Sequence, residues 1–132
     1  MKTVVLKGTD GILYWQNAWD NNANLTKADV STWTPKTYWS ESNNTVPVPV
    51  GKWFKFEVFW HRSSGPDGRY WVAVNGKTIA DHYGPNIGDY KLPVTRLMVT
   101  NAYTGGYGPV ERHLTDLHIW NGFPCGNGVS CP

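Results

Sequence analysis

The chain is short of charge, short of cysteine and without any long apolar run, and each shortage removes a class of protein. Lysine plus arginine number 12 against 10 aspartate plus glutamate, a formal net charge of +2 over 132 residues. So small and scattered an excess cannot build the basic stripe that a nucleic-acid or heparin binder needs, and no nucleic-acid partner is expected. No stretch approaches the roughly 20 apolar residues of a membrane span, so no membrane partner is expected. The opening residues, MKTVVLKGTD, turn polar too soon for a secretory leader, which is expected to be absent or to have been removed. Alanine, leucine, glutamate and lysine are too scarce for a helical bundle, whereas asparagine, threonine, serine and glycine favour strands and turns.

The cysteines, Cys125 and Cys131, enclose only Gly126-Asn127-Gly128-Val129-Ser130, and no histidine lies near enough in sequence for a zinc knuckle. A disulfide clip is the expected arrangement, which implies an oxidising, extracellular setting. Closing so short a loop contributes at most about 2 kcal/mol, so the clip tidies a tail, 125–132, beside a single domain over 1–124. Two sequons, Asn24-Leu25-Thr26 and Asn43-Asn44-Thr45, carry meaning only in a eukaryotic source.

What the chain has in excess is aromatic. Eight tryptophans and seven tyrosines exceed what a core of this size can bury, so some must line a surface or groove. The clearest periodic segment is Lys52 to His61. There Phe54, Phe56, Val58 and Trp60 alternate with Trp53, Lys55, Glu57, Phe59 and His61. A period of two predicts a strand whose first row faces the core and whose second, mixed row faces outward.

The turn cluster Ser63 to Gly68 separates this strand from Arg69 to Asn75, and Asn75-Gly76 predicts a type I′ hairpin into Thr78 to Tyr83. Further strands are expected at Thr3 to Lys7, Ile12 to Gln16, Tyr38 to Glu41, Val94 to Asn101 and His113 to Asn121. In the last, Leu117 and Ile119 oppose Asp116, His118 and Trp120. Asn17 to Pro35 has no period and predicts a long loop, with one helical turn at Thr26 to Asp29. Val46-Pro47-Val48-Pro49-Val50 suits an edge or a crossing between sheets. The fold class that follows is all-β, an antiparallel two-sheet sandwich.

Gly51-Lys52-Trp53, the aromatic strand after it, Asp67-Gly68, Val72 to Lys77 and Asp116-Leu117-His118-Ile119-Trp120 together resemble the concanavalin A-like jelly rolls. The nearest are the heparin-lyase-like and laminin-G-like branches. The likeness spans roughly Pro49 to Pro124 and implies a jelly-roll sandwich and a carbohydrate-handling function. Full members of that superfamily use a longer chain, so this one resembles their C-terminal part or a trimmed version. Trimming could leave an open sheet edge, to be covered by a second copy, a swapped segment or the 17–35 loop.

A sugar presents a flat CH face and edge hydroxyls, so its groove wants aromatic platforms beside charged or amide groups. The candidate ligand-binding set is Lys55, Glu57, Phe59, His61, Trp71, Arg96, Tyr103, Asp116, His118 and Trp120. The competing reading is ordinary cross-strand pairing on a solvated face. Among the loop aromatics Trp15, Trp19, Trp33, Trp39, Tyr103 and Tyr107, which could wall a groove, Trp33 and Trp39 are expected to cap the core instead. The paired-carboxylate strand motifs of the superfamily's glycanases are missing, so a binding module is expected rather than an enzyme. The alternatives are a polysaccharide lyase using His61, His118, Tyr103 and Arg96, a hydrolase remnant, and a self-assembling structural domain. No cofactor is expected. His113 and His118 fall on opposite strand faces, and His61 and His82 lack paired spacing, so structural calcium at Asp10, Asp20 or Asp29 is the one metal left open.

Overall fold

A computed structural model describes residues 1–20, 37–86 and 113–123. Among them lie β1 (Lys2–Lys7), β2 (Leu13–Asp20), β3 (Thr37–Asn43), β4 (Phe56–His61), β5 (Arg69–Val74) and β6 (Lys77–Tyr83), with no helix. They pair antiparallel as two three-stranded sheets, sheet A in the order β1-β2-β3 and sheet B in the order β4-β5-β6. The all-β, two-sheet antiparallel architecture expected from the sequence is present, and among the described residues each sheet is a plain meander.

Turn chemistry sets the hairpins. Between β1 and β2, Gly8 N–H donates to the Ile12 carbonyl at 2.8 Å and the Asp10 carboxylate accepts the Ile12 N–H at 3.0 Å. Between β5 and β6, Asn75 and Gly76 take φ of 49° and 75°, the left-handed pair that a type I′ turn demands. The Asn75 amide oxygen also accepts the Lys55 N–H at 2.9 Å, which ties the approach to β4 onto this hairpin.

The core lies between the sheets. Trp15 of β2 and Val46 from the β3–β4 connection meet Tyr70, Val72 and Val74 of β5 and Ile79 and Ala80 of β6. A register shift beside Val72 and Ala73 lets the consecutive Ile79 and Ala80 both turn inward, at 1% and 2% exposure. Burying a side chain the size of Ile79 or Val72 contributes about 1.5–3 kcal/mol, so this cluster is the main source of cohesion between the sheets. Buried polar groups are paired across the same gap. Asn17, fully buried, accepts from the Thr3 hydroxyl at 2.7 Å, and Thr3 shares a 2.9 Å hydrogen bond with the Tyr70 hydroxyl. Burial pushes the Tyr70 phenol pKa up, although the Thr3 contact works against it.

Several expectations need correction. β2 runs on through Asn17 to Asp20, where a loop is predicted, because Asn17 and Ala18 are buried while their backbones pair with Glu41 and Ser40 of β3. Burial here overrides the weak strand propensity of asparagine. Residues 113–120 form no strand, and Asp116 adopts φ of 53°, which breaks any extended run. Leu117 and Ile119, expected inward, stand 69% and 76% exposed.

On β4 the predicted inward row does share the face of the core, since Phe56, Val58 and Trp60 lie opposite Val74, Val72 and Tyr70. These three nonetheless keep 38–48% exposure; among the described residues β4 is the edge of sheet B, and the ladder begins only at Phe56. The expected strand at Val94 to Asn101, the helical turn at Thr26 to Asp29, and Trp33 and Tyr107 lie outside the described residues.

Asn86 locks the far end of sheet B. Asn86 is 1% exposed, and its amide donates to the His61 carbonyl at 2.8 Å and accepts from the Trp60 indole at 3.0 Å and the Ser63 N–H at 3.2 Å. Gly68 is pressed against it, and a Cβ there would stand 2.7 Å from the Asn86 amide nitrogen. Removing the buried Asn86 side chain strands three part-buried partners, at a cost of up to about 1–3 kcal/mol. Asn86→Ala and Gly68→Ala are therefore each expected to lower the urea midpoint without changing the slope. A midpoint equal to the parent's in both would refute the lock.

Candidate functional site

The outer face of sheet B, away from the core, is where aromatic and ionic side chains meet. Register places Phe59 opposite Trp71, His61 opposite Arg69, and Arg69 and Trp71 opposite Tyr83 and Asp81. Directly opposite residues of antiparallel strands share a face, so three strands contribute to one cluster. The Trp71 indole N–H donates to the Thr78 hydroxyl at 3.1 Å.

Phe123, from the segment that follows the last predicted strand, packs edge-on against Phe59 at 4.8 Å and Trp71 at 5.0 Å between ring centroids. The Arg69 guanidinium lies 4.8 Å from both the Phe123 and Tyr83 ring centroids. It donates twice to Asp81, Nε to Oδ1 at 2.8 Å and Nη2 to Oδ2 at 3.0 Å, and those hydrogen bonds push its pKa up. Its remaining nitrogen, Nη1, is buried with no hydrogen-bond partner among the described residues.

Of the residues the sequence nominates, Phe59, His61 and Trp71 are brought to this face. Trp71 is not an open platform, because Phe123 leaves it 3% exposed. Lys55 and Glu57 form a 2.7 Å ion pair, with Glu57 largely covered. His61 contacts Asp67 at 3.4 Å, and Asp67 accepts the Ser63 hydroxyl at 2.5 Å. The Ser63 and His61 hydrogen bonds hold the Asp67 carboxyl below the usual carboxylate range.

His118 and Trp120 stack on each other at 6.0 Å with 19° between planes, and Asp116 is exposed at the bend of the same segment. Arg96, Tyr103, Cys125 and Cys131 lie outside the described residues. Among the loop aromatics, Trp15 is a core residue at 4% exposure rather than a groove wall, and its indole donates to the Val46 carbonyl at 3.1 Å. Trp19 stacks on Tyr38 at 4.3 Å. Trp39, as expected, packs against the core, edge-on to Tyr70 at 6.1 Å and stacked on His82 at 4.4 Å.

Trp53, Arg69, Asp81, Tyr83 and Phe123 were not among the candidates. Arg69 and Asp81 were not findable from the Asn75-Gly76 turn alone, since its plain register sets Asp81 opposite Tyr70, and only the shift beside Val72 and Ala73 brings the carboxylate to the face of Arg69. Phe123 gave no signal, because it follows a segment with no ladder to carry a register.

No family model, curated protein or solved structure matches the chain. The chemistry therefore rests on the groups themselves. Among the described residues no three His, Cys, Asp or Glu side chains gather to hold a metal ion. Of the calcium candidates, Asp10 accepts the Ile12 N–H within its turn, and neither the Asp20 side chain nor Asp29 is among the described groups. A groove of about 370 Å³ between Val46–Val50 and the β5–β6 hairpin is apolar apart from Asn75, Lys52 and Lys77, and presents no acid–base pair.

Two outcomes follow. Trp71→Ala removes a large buried ring and is expected to cost about 3–5 kcal/mol in chemical denaturation. A loss under about 1 kcal/mol would contradict the packing against Phe123. Burial lowers the His82 pKa below its ordinary 6.5, so the unfolded chain binds its proton first as pH falls. This contribution to stability is whole above pH 6.5 and declines as pH drops below it toward the depressed folded value. In His82→Gln the decline is expected to shrink, read as melting temperature between pH 7.5 and 5; an unchanged pH profile would refute the assignment.

Proposed function

We propose that the protein is an extracellular carbohydrate-binding domain, a concanavalin A-like sandwich that holds a polysaccharide by ring stacking and hydrogen bonding, without covalent chemistry. The observation that supports this reading most is the state of two tryptophans. Trp53 and Trp120 stand 69% and 70% exposed, and each is braced by an imidazole, His113 at 6.5 Å and His118 at 6.0 Å. Leaving so much apolar ring in water opposes the hydrophobic effect, and a braced, exposed indole is the shape of group that takes the CH face of a sugar. Secretion and a Cys125–Cys131 disulfide belong to the same proposal, and intact-mass analysis after alkylation is expected to find no free thiol.

A second reading has its own support. Phe56, Val58 and Trp60 of β4, with Phe54 just before it, keep 38–48% exposure, and β4 is an edge strand among the described residues, which favours pairing with a second copy. A sedimentation coefficient that climbs with concentration would favour this self-assembly. No observation comparable to these favours the lyase or hydrolase alternatives.

The sugar reading is tested by affinity electrophoresis in gels holding hydroxyethylcellulose, xylan, galactomannan or polygalacturonate. A stacked ring is worth about 0.5–1.5 kcal/mol, so Trp53→Ala or Trp120→Ala is expected to weaken binding by up to about tenfold. Melting temperatures should stay near the parent's, since neither ring is buried. Equal retardation of the parent and the double variant in every gel that retards the parent would end the proposal.

A further inference from the structure

Residues 113–123 run without a strand ladder. Among the described residues, the segment meets the approach to β4 at His113 against Trp53, 6.5 Å between centroids, and sheet B at Phe123. Between those two points Leu114, Leu117, Ile119 and Trp120 are 62–76% exposed, so apolar burial does not hold the middle of the segment down. The attachment is a strap with a ring at one end.

The place Phe123 occupies is better furnished than a phenyl ring requires. Phe59 and Trp71 offer their rings at 69° and 60° to it, which satisfies an apolar face. Arg69, with its guanidinium 4.8 Å from the Phe123 centroid, keeps a buried Nη1 with no hydrogen-bond acceptor among the described residues. A phenyl ring carries no acceptor, so Phe123 meets the apolar demand of the seat and leaves the polar one unmet. A sugar ring meets both, with CH groups toward Phe59 and Trp71 and a hydroxyl oxygen toward Nη1. Because Asp81 already neutralises Arg69, the seat fits a neutral sugar rather than a uronate.

We infer that Phe59, Arg69 and Trp71 form a ring-binding seat closed by the chain's own Phe123, and that a neutral sugar ring enters it by displacing Phe123. The identity of the ligand rests on the carbohydrate reading; the existence of the seat does not. Two measurements on the full chain separate them. In the affinity gels, Phe123→Ala is expected to bind the polysaccharide that retards the parent about tenfold more tightly. That is the gain when an open state populated one part in ten becomes dominant. Unchanged or weaker binding overturns the displacement.

Titration with benzyl alcohol, followed at the Trp71 indole N–H resonance, tests the seat alone. A saturating shift in Phe123→Ala and none in the parent is expected, and no saturating shift in the variant overturns the seat. Gels that retard neither protein, with benzyl alcohol still binding the variant, overturn the sugar as ligand and leave an apolar-ring site. Phe123→Leu keeps an apolar cover should the alanine variant misfold, and is expected to give intermediate values in both measurements.

Discussion

The strand β5 is buried on both faces, and the rest of the structure is arranged around that constraint. From Tyr70 to Val74 exposure does not exceed 5%. Its inner residues, Tyr70, Val72 and Val74, pack against Trp15 and Val46, while Trp71 on the outer side is closed by Phe123. A strand that alternates apolar and polar residues can tolerate water on one side; Tyr-Trp-Val-Ala-Val cannot, so it takes the centre of its sheet with β4 and β6 as shields. The buried hydrogen bonds follow the same logic, since the Tyr70 hydroxyl and the Trp71 indole each reach a threonine.

From this centre the two candidate sites acquire their characters. The outer cluster is rigid because its members are held by register and by the two-pronged Arg69–Asp81 contact, which leaves one buried guanidinium nitrogen with no partner among the described residues. The exposed tryptophans lie outside any ladder, and histidine rings brace them instead of neighbouring strands. One region is built for order and the other for access, and the strap that carries Trp120 is also the one that carries Phe123.

Much of sheet B was legible because its signals were local and mutually consistent. The alternation through Phe56, Val58 and Trp60, the asparagine–glycine turn and the spacing to Tyr83 each require only a few neighbouring residues to agree. Sheet A was harder to read. The continuation of β2 through Asn17 depends on Thr3 and on burial beneath Ile79, partners far away in sequence. The strand expected at His113 to Asn121 failed for the complementary reason. Alternation makes a segment able to form a strand, but only a neighbouring strand supplies the hydrogen bonds, and Asp116 turns the backbone out of the extended region.

For the candidate site the division runs along the same line. Composition alone determined that aromatic rings had to be left over from the core, and periodicity determined that Phe59 and Glu57 share a row opposite Phe56 and Val58. Which rings stay exposed was decided only in three dimensions. Trp71 and Trp120 sit in equally plausible strand patterns, yet one is sealed by a phenylalanine 52 positions away and the other stands in solvent. A side chain's direction is a local property of the backbone, whereas its cover is supplied by whatever part of the chain arrives on that side.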